Sequence, residues 1–180
     1  MGYRQYQQLN GHLRKTQNHK MRLGVIADTH IPDRYDELPA AVLKEFKKVD
    51  LIIHAGDFTS VEYYKKLKNL KPLKAVLGNL DSALLRDYLK EKETFKLSKY
   101  KIGLMHGFGR AEGVFDLIKK SFDKTYDLVI FGHTHQPLCE KVGKTVFFNP
   151  GSPTDKIFTH VNSYGIIELN SEIDARIVKL

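Results

Sequence analysis

Five short apolar runs, each closing on a polar residue, constrain what this chain can fold into. They are RLGVIAD (22–28), DLIIHAGD (50–57), KAVLGN (74–79), KIGLMHG (101–107) and DLVIFGH (127–133). Each is apolar at successive positions and most carry β-branched residues, as expected of strands covered on both faces. Between them, apolar residues recur at i, i+3, i+4 spacing over about 39–48, 60–70, 82–92 and 111–122, which predicts helices. Pro39 suits a first helical turn, and Asp81 and Ser82 offer capping oxygens before another helix. Strands alternating with helices predict an α/β domain with parallel strands. After residue 136 the pattern shifts to short strands between turns, VFFN, YGIIEL and DARIVKL, with NPGSP between the first two. These predict antiparallel additions at the end of a single domain spanning 21–180.

Composition narrows the function classes. A hydrophobic fraction of 42% supports a real core and excludes a wholly disordered chain. No apolar run approaches the ~20 residues of a membrane-spanning helix. Cys139 is the single cysteine, so neither a disulfide framework nor a cysteine-zinc cluster is available. One cysteine and no secretory pattern point to the cytoplasm. The net charge of +8 invites a nucleic-acid reading, but residues 1–20 carry half of it on Arg4, Arg14, Lys15 and Lys20. That segment lacks hydrophobic periodicity and reads as a disordered basic tail. The remaining lysines are scattered along helical stretches, which disfavours nucleic acid as a partner. A mildly positive domain still suits a phosphate-bearing substrate.

The polar residues at the strand ends share one chemistry. Asp28 and His30, Asp57, Asn79, His106, His133 and His135 are all of metal-ligand type. In open α/β sheets ligands bind outside the carboxyl ends of the strands, so these seven converge if their strands are neighbours. Asp28 with His30, and His133 with His135, are spaced i, i+2 and project to one side of an extended backbone. Mixed imidazole, carboxylate and amide donors suit Mn, Fe, Zn, Co or Ni better than calcium. Seven ligands exceed what one catalytic ion takes while keeping a position open, so two ions are the economical reading.

Taken together, DTH (28–30), GD (56–57), GNLD (78–81), HG (106–107) and GHTH (132–135) resemble the five-block signature of the calcineurin-like metallophosphoesterases, in that order. The compact size and NPGS (149–152) look like the small single-domain prokaryotic phosphodiesterase branch, which shares its fold with the retromer subunit. The resemblance covers essentially 21–180. It implies a four-layer αββα sandwich of two mixed β-sheets flanked by helices. It assigns Asp28, His30 and His135 to one divalent ion and Asn79, His106 and His133 to a second, with Asp57 bridging. It implies Mn as the first choice of metal, and a catalytic set of Asp57, Asn79, His106 and Asp81. The implied reaction is in-line hydrolysis of a small phosphodiester by a metal-bridging hydroxide.

Two positions depart from the family pattern. Leu80 stands where a histidine commonly faces the leaving group, and Ser60 stands where the second block often continues to a carboxylate. Leu80 weakens the case for a phosphomonoesterase more than for a diesterase. A non-catalytic interaction scaffold of the same fold is the rival reading, though a scaffold need not keep all seven ligands. A homo-oligomer, dimer or tetramer, is compatible with the sequence. Among other residues, His54 reads as core or as a support for the site, and His12, His19 and His160 as solvated. NPGS reads first as a turn, and Cys139 lacks a nucleophile pattern.

Overall fold

A computed structural model describes residues 20–180. The tail expected over 1–20 lies, apart from Lys20, outside the described residues. The described chain runs β1 (Met21–Ile26), α1 (Ala40–Phe46), β2 (Leu51–His54), α2 (Val61–Leu70) and β3 (Leu73–Ala75). A 3₁₀ turn (Ala83–Asp87), β4 (Lys92–Leu97), β5 (Tyr100–Met105), α3 (Ala111–Ser121) and β6 (Leu128–Ile130) follow. The last four strands are β7 (Leu138–Val142), β8 (Thr145–Asn149), β9 (Ser163–Leu169) and β10 (Ile173–Lys179).

These strands form two five-stranded mixed sheets, ordered β10-β9-β1-β2-β3 and β4-β5-β6-β8-β7. In the first, β1, β2 and β3 are parallel, with Leu23 opposite Leu51 and Ile52 opposite Leu73. Strands β9 and β10 extend it antiparallel. In the second, β5, β6 and β8 are parallel while β4 and β7 run antiparallel at the two edges. The predicted order of parallel strands first and antiparallel strands last is therefore corrected. An antiparallel strand, β4, comes mid-chain, and β8 joins the parallel set late. The helix predicted over 82–92 is also corrected. Only Ala83–Asp87 turns, as a 3₁₀ helix, before the chain extends into β4.

Strand alternation sorts the apolar residues into three cores and so makes four layers. Leu23, Val25 and Ile53 of one sheet meet Ile102, Leu104, Leu128, Ile130 and Phe148 of the other. The opposite face of the first sheet, with Ile26 and Ile52, packs on Val42 and Phe46 of α1 and Tyr63, Tyr64 and Leu67 of α2. The outer face of the second, with Val129 and Phe147, packs on Val114 and Ile118 of α3 and on Phe122. The two outer interfaces use the same device. A Cβ on Gly24 would sit 2.7 Å from the Phe46 ring, and one on Gly103 would sit 2.4 Å from the Phe122 ring. A side chain missing from each strand lets an aromatic ring lie flat on the sheet, where burial stabilises by about 1.5–3 kcal/mol. Ser60, extended and unhelical, caps α2 by accepting the Tyr63 N–H at 3.1 Å.

Candidate metal centre

The parallel strands of both sheets deliver their carboxyl ends to one seam. Asp28 and His30 follow β1, Asp57 follows β2, and Asn79 follows β3. From the second sheet, His106 follows β5, and His133 with His135 follow β6. The single rim expected from the sequence is thus built by two sheets. The backbone there is unusual: Asp28, His30, Asp57, His133 and His135 all have positive φ, between 49° and 72°. For a residue with a Cβ this left-handed geometry costs about 1–2 kcal/mol each, and it persists only where surrounding structure enforces it. Neighbouring backbone supplies that enforcement. Asp28 N–H donates to Gly56 O (3.0 Å), His30 N–H to Asp57 O (3.1 Å), and His133 N–H reaches both Asp28 carboxylate oxygens (3.1 and 3.0 Å). Gly78 lets the β3 loop press close, since a Cβ there would fall 2.0 Å from Asp57 Oδ1.

All seven sequence-predicted ligand residues meet at this seam. Two groups have donor atoms mutually within 4.8 Å: Asp28, His30 and His135, and Asp28, Asp57 and His106. His30 Nε2 and His135 Nε2 are 3.3 Å apart, and His135 Nε2 is 3.5 Å from Asp28 Oδ1. On the other side His106 Nε2 lies 3.2 Å from Asn79 Oδ1, and His133 Nδ1 lies 2.8 Å from the same oxygen. Asp57 Oδ2 stands between the two sides, 3.8 Å from His30 Nε2 and 3.5 Å from His106 Nε2. Asp28 Oδ1 is placed similarly, 3.7 Å from His106 Nε2. Both carboxylates therefore face both clusters, where the sequence singled out Asp57. Asp28, His30 and His135 are buried, while Asn79 is exposed and His133 half-buried, so the site opens on the Asn79 side.

The outer nitrogens explain why the inner ones converge. His135 Nδ1–H donates to Asp155 Oδ2 at 2.7 Å, His106 Nδ1–H to Ala55 O at 2.6 Å, and His133 Nε2–H to Gly109 O at 2.8 Å. Each bond fixes a tautomer and aims the remaining nitrogen inward. His133 Nδ1 and Asn79 Oδ1 then face each other as two acceptors, an arrangement favourable around a cation. The electrostatics agree. Burial opposes charge at His106, yet its hydrogen bond to Asp57 and the nearby Asp28 raise its pKa to about 9. Burial likewise opposes charge on Asp57, but His106 and the Leu80 N–H hold its carboxyl down to about 2. Burial pushes Asp28 up to about 6 and His30 down to about 4. Two carboxylates that stabilise positive charge between them, with inward nitrogens and an amide oxygen, fit borderline divalent metals.

Other residues support the site. His54 is buried and accepts the Gly56 N–H at Nδ1 (3.2 Å), so Nε2–H donates to Thr29 Oγ1 (3.0 Å), and burial holds its pKa well below 6.5. Asp81, expected among the catalytic residues, turns its carboxylate to backbone instead. It accepts from Thr59 N–H (2.7 Å), Gly78 N–H (2.7 Å) and Asp57 N–H (3.3 Å). These bonds clamp together the loops that follow β2 and β3. NPGS is a turn that also serves the site: Asn149 Nδ2 donates to Gly132 O (3.0 Å), and Ser152 Oγ donates to Asp28 O (2.8 Å). Sequence reasoning missed Asp155. No periodicity or motif marks it, because its partner His135 is reached only through the fold.

Residues 21–172 match the calcineurin-like phosphoesterase superfamily domain. The chain belongs to that superfamily. This calcineurin-like chain is 38% identical to a probable metallophosphoesterase of Methanothermobacter thermautotrophicus, over 88% of this chain and 92% of the relative. Among solved structures it resembles an archaeal phosphodiesterase at 27% identity and TM-score 0.70, covering 89% of this chain and all of the other. It also resembles vacuolar protein sorting 29 from Cryptosporidium parvum at 22% identity and TM-score 0.71, covering 89% and 98%. That second likeness shows the shared calcineurin-like fold.

Proposed function

We propose that the chain is a metal-dependent phosphodiesterase with a dinuclear centre. The observation that carries this reading is the cost of the site. Five of seven ligand-type residues hold left-handed backbone, and a scaffold without chemistry gains nothing from that strain. Asp28, His30 and His135 would hold one ion and Asn79, His106 and His133 the other, with Asp57 between them. Manganese is the first choice, and Ni, Fe, Zn and Co suit the same donors. Such a pair, when bound, supplies Lewis acidity toward the phosphoryl oxygens and lowers the pKa of water. The chain's own residues do the rest. Asp155 and Ala55 hold His135 and His106 in the tautomers that turn Nε2 inward. Asp81 fixes the loops of Asp57 and Asn79, and the exposed Asn79 side admits substrate. Leu80 offers no proton to a leaving group, which favours diesters over alkyl monoesters. The likeness to the archaeal phosphodiesterase supports the same choice.

The test is hydrolysis of bis(p-nitrophenyl) phosphate by native, chelated and Mn²⁺-reconstituted protein, with metal content measured in each. Activity should vanish on chelation and return with manganese. Undiminished turnover in metal-depleted protein, or none in protein carrying two ions per chain, overturns the reading.

A further inference from the structure

Three of the loops that carry the site each leave a large apolar side chain in solvent. Leu80, beside Asn79, is 45% exposed; Phe108, two residues after His106, is 58% exposed; and Phe158 is 57% exposed. Single exposed apolar residues are ordinary, but three on the rim of one polar site are not. Phe158 is the most deliberately placed. Its ring meets the His135 ring edge to face, with centroids 5.4 Å apart. Its N–H donates to Asp155 Oδ2 (2.9 Å), and its carbonyl accepts from Gln136 Nε2 (2.7 Å). Asp155, almost wholly buried, bonds His135 with the same oxygen, while its Oδ1 takes the Ile157 N–H (2.9 Å) and the Tyr35 hydroxyl (3.3 Å). One carboxylate thus fixes the ligand and the exposed aromatic ring together. The Arg34 guanidinium lies 5.9 Å from the Phe158 ring centroid, and Arg34 N–H is bonded to His30 O (2.9 Å). A flat aromatic face and a cation therefore stand together beside the His30–His135 side of the site.

We infer that Phe158, with Arg34, is a recognition wall for a nucleobase, carried on the ester substituent that the phosphate keeps when its other ester bond is cleaved at the centre. The inference rests on the diesterase reading and deepens it. The phosphate ester is held at the seam, and the base it carries stacks on Phe158. Stacking of a base on an aromatic side chain is tolerant of sequence and strong enough to shift affinity about tenfold or more. A cation at the ring suits an electron-rich base or a second anionic group.

The test compares two diesters with the same p-nitrophenolate leaving group, thymidine 5′-(p-nitrophenyl phosphate) and ethyl p-nitrophenyl phosphate. The metal-reconstituted wild type should favour the nucleoside diester through KM. Phe158→Ala should lower the ratio of kcat/KM for the nucleoside diester to that for the ethyl diester about tenfold, chiefly through the KM of the nucleoside diester. Phe158→Tyr should restore the preference. Equal losses on both substrates, or no preference in the wild type, overturn the inference. Binding of thymidine 5′-phosphate against ethyl phosphate, by calorimetry on the metal-loaded protein, reads the same preference without turnover. Absent hydrolysis with a Phe158-dependent preference for the nucleotide defeats the diesterase reading and keeps the wall. Hydrolysis with no such preference does the reverse.

Discussion

Asp57 uses its two oxygens for different ends: Oδ1 accepts the Leu80 N–H at 2.8 Å, and Oδ2 faces His30 and His106. Among the described residues, the Asn79 amide oxygen meets the His106 and His133 rings. On the dinuclear diesterase reading proposed above, Asp57→Asn should therefore lower kcat by at least ~100-fold and reduce binding of both ions, whereas Asn79→Ala should spare the ion on the His30–His135 side and cost less. Equal losses of metal and rate in the two variants would contradict the shared role. Leu80 carries the second expectation. An alkyl monoester needs a proton delivered to its leaving oxygen, worth about 10²–10⁴ in rate when a positioned acid supplies it. Leu80→His would put an imidazole beside Asp81 on the open side of the site. Monoester turnover should rise relative to diester turnover, both measured at saturating metal, and an unmoved ratio removes position 80 from leaving-group chemistry. Of the seven residues that meet at the seam, five were readable because each sits beside a glycine or ends an apolar run, and His30 and His135 because each stands two residues after another of them. Asp155 and the Asp81 clamp were not, since the partners that matter, His135 for Asp155 and Thr59 for Asp81, lie 20 and 22 residues away and meet them only through the fold.

The glycine-and-ring device decides a prediction at the scale of elements. Gly103→Ala places a methyl group against the Phe122 ring, which is packed in one buried cluster with Val114, Ile118 and Tyr126. Urea denaturation should report a loss of about 1–3 kcal/mol, as overpacked cores show, with the folded protein's hydrolysis of bis(p-nitrophenyl) phosphate kept at its wild-type level. Stability unchanged or improved would mean the ring has room to yield. The same scale shows where periodicity misled. The strands that went unread, β4 and β7, are the two edges of the second sheet. Edge strands carry charge that discourages pairing with other chains, so KETFKL and LCEKV lack the apolar run by which buried strands are found. Leu84, Leu85, Tyr88 and Leu89 meanwhile have helical spacing. Their segment stops at one 3₁₀ turn, and the chain then extends, with the Leu77 N–H donating to the Lys90 carbonyl (2.8 Å).

Across the whole molecule the ligand-type residues straddle the seam between the sheets, and periodicity alone does not say which strands share a sheet. The α/β alternation was legible residue by residue; the second sheet came from the five-block resemblance. Because Asp28 and Asp57 belong to one sheet and His106, His133 and His135 to the other, an ion bound among them ties the sandwich together. A ligand at 100 times its Kd stabilises by about 2.7 kcal/mol, which in a domain of this size raises Tm by roughly 5–10 °C. Calorimetry with excess Mn²⁺ should show that rise, and Asp28→Asn should abolish most of it. An unshifted transition in wild type would mean the donors do not close on a cation. The left-handed backbone has a further bearing, on how such a protein changes over generations. Glycine accepts that geometry freely, whereas aspartate and histidine, though they tolerate it better than most side chains, still hold a Cβ in it at these five positions. Among variants kept only for remaining folded, glycine at 30 or 133 would relieve that strain, and the chemistry would be lost while the sandwich stayed folded. The drift from enzyme to inert scaffold runs downhill in this architecture, and only continued use holds the site in place.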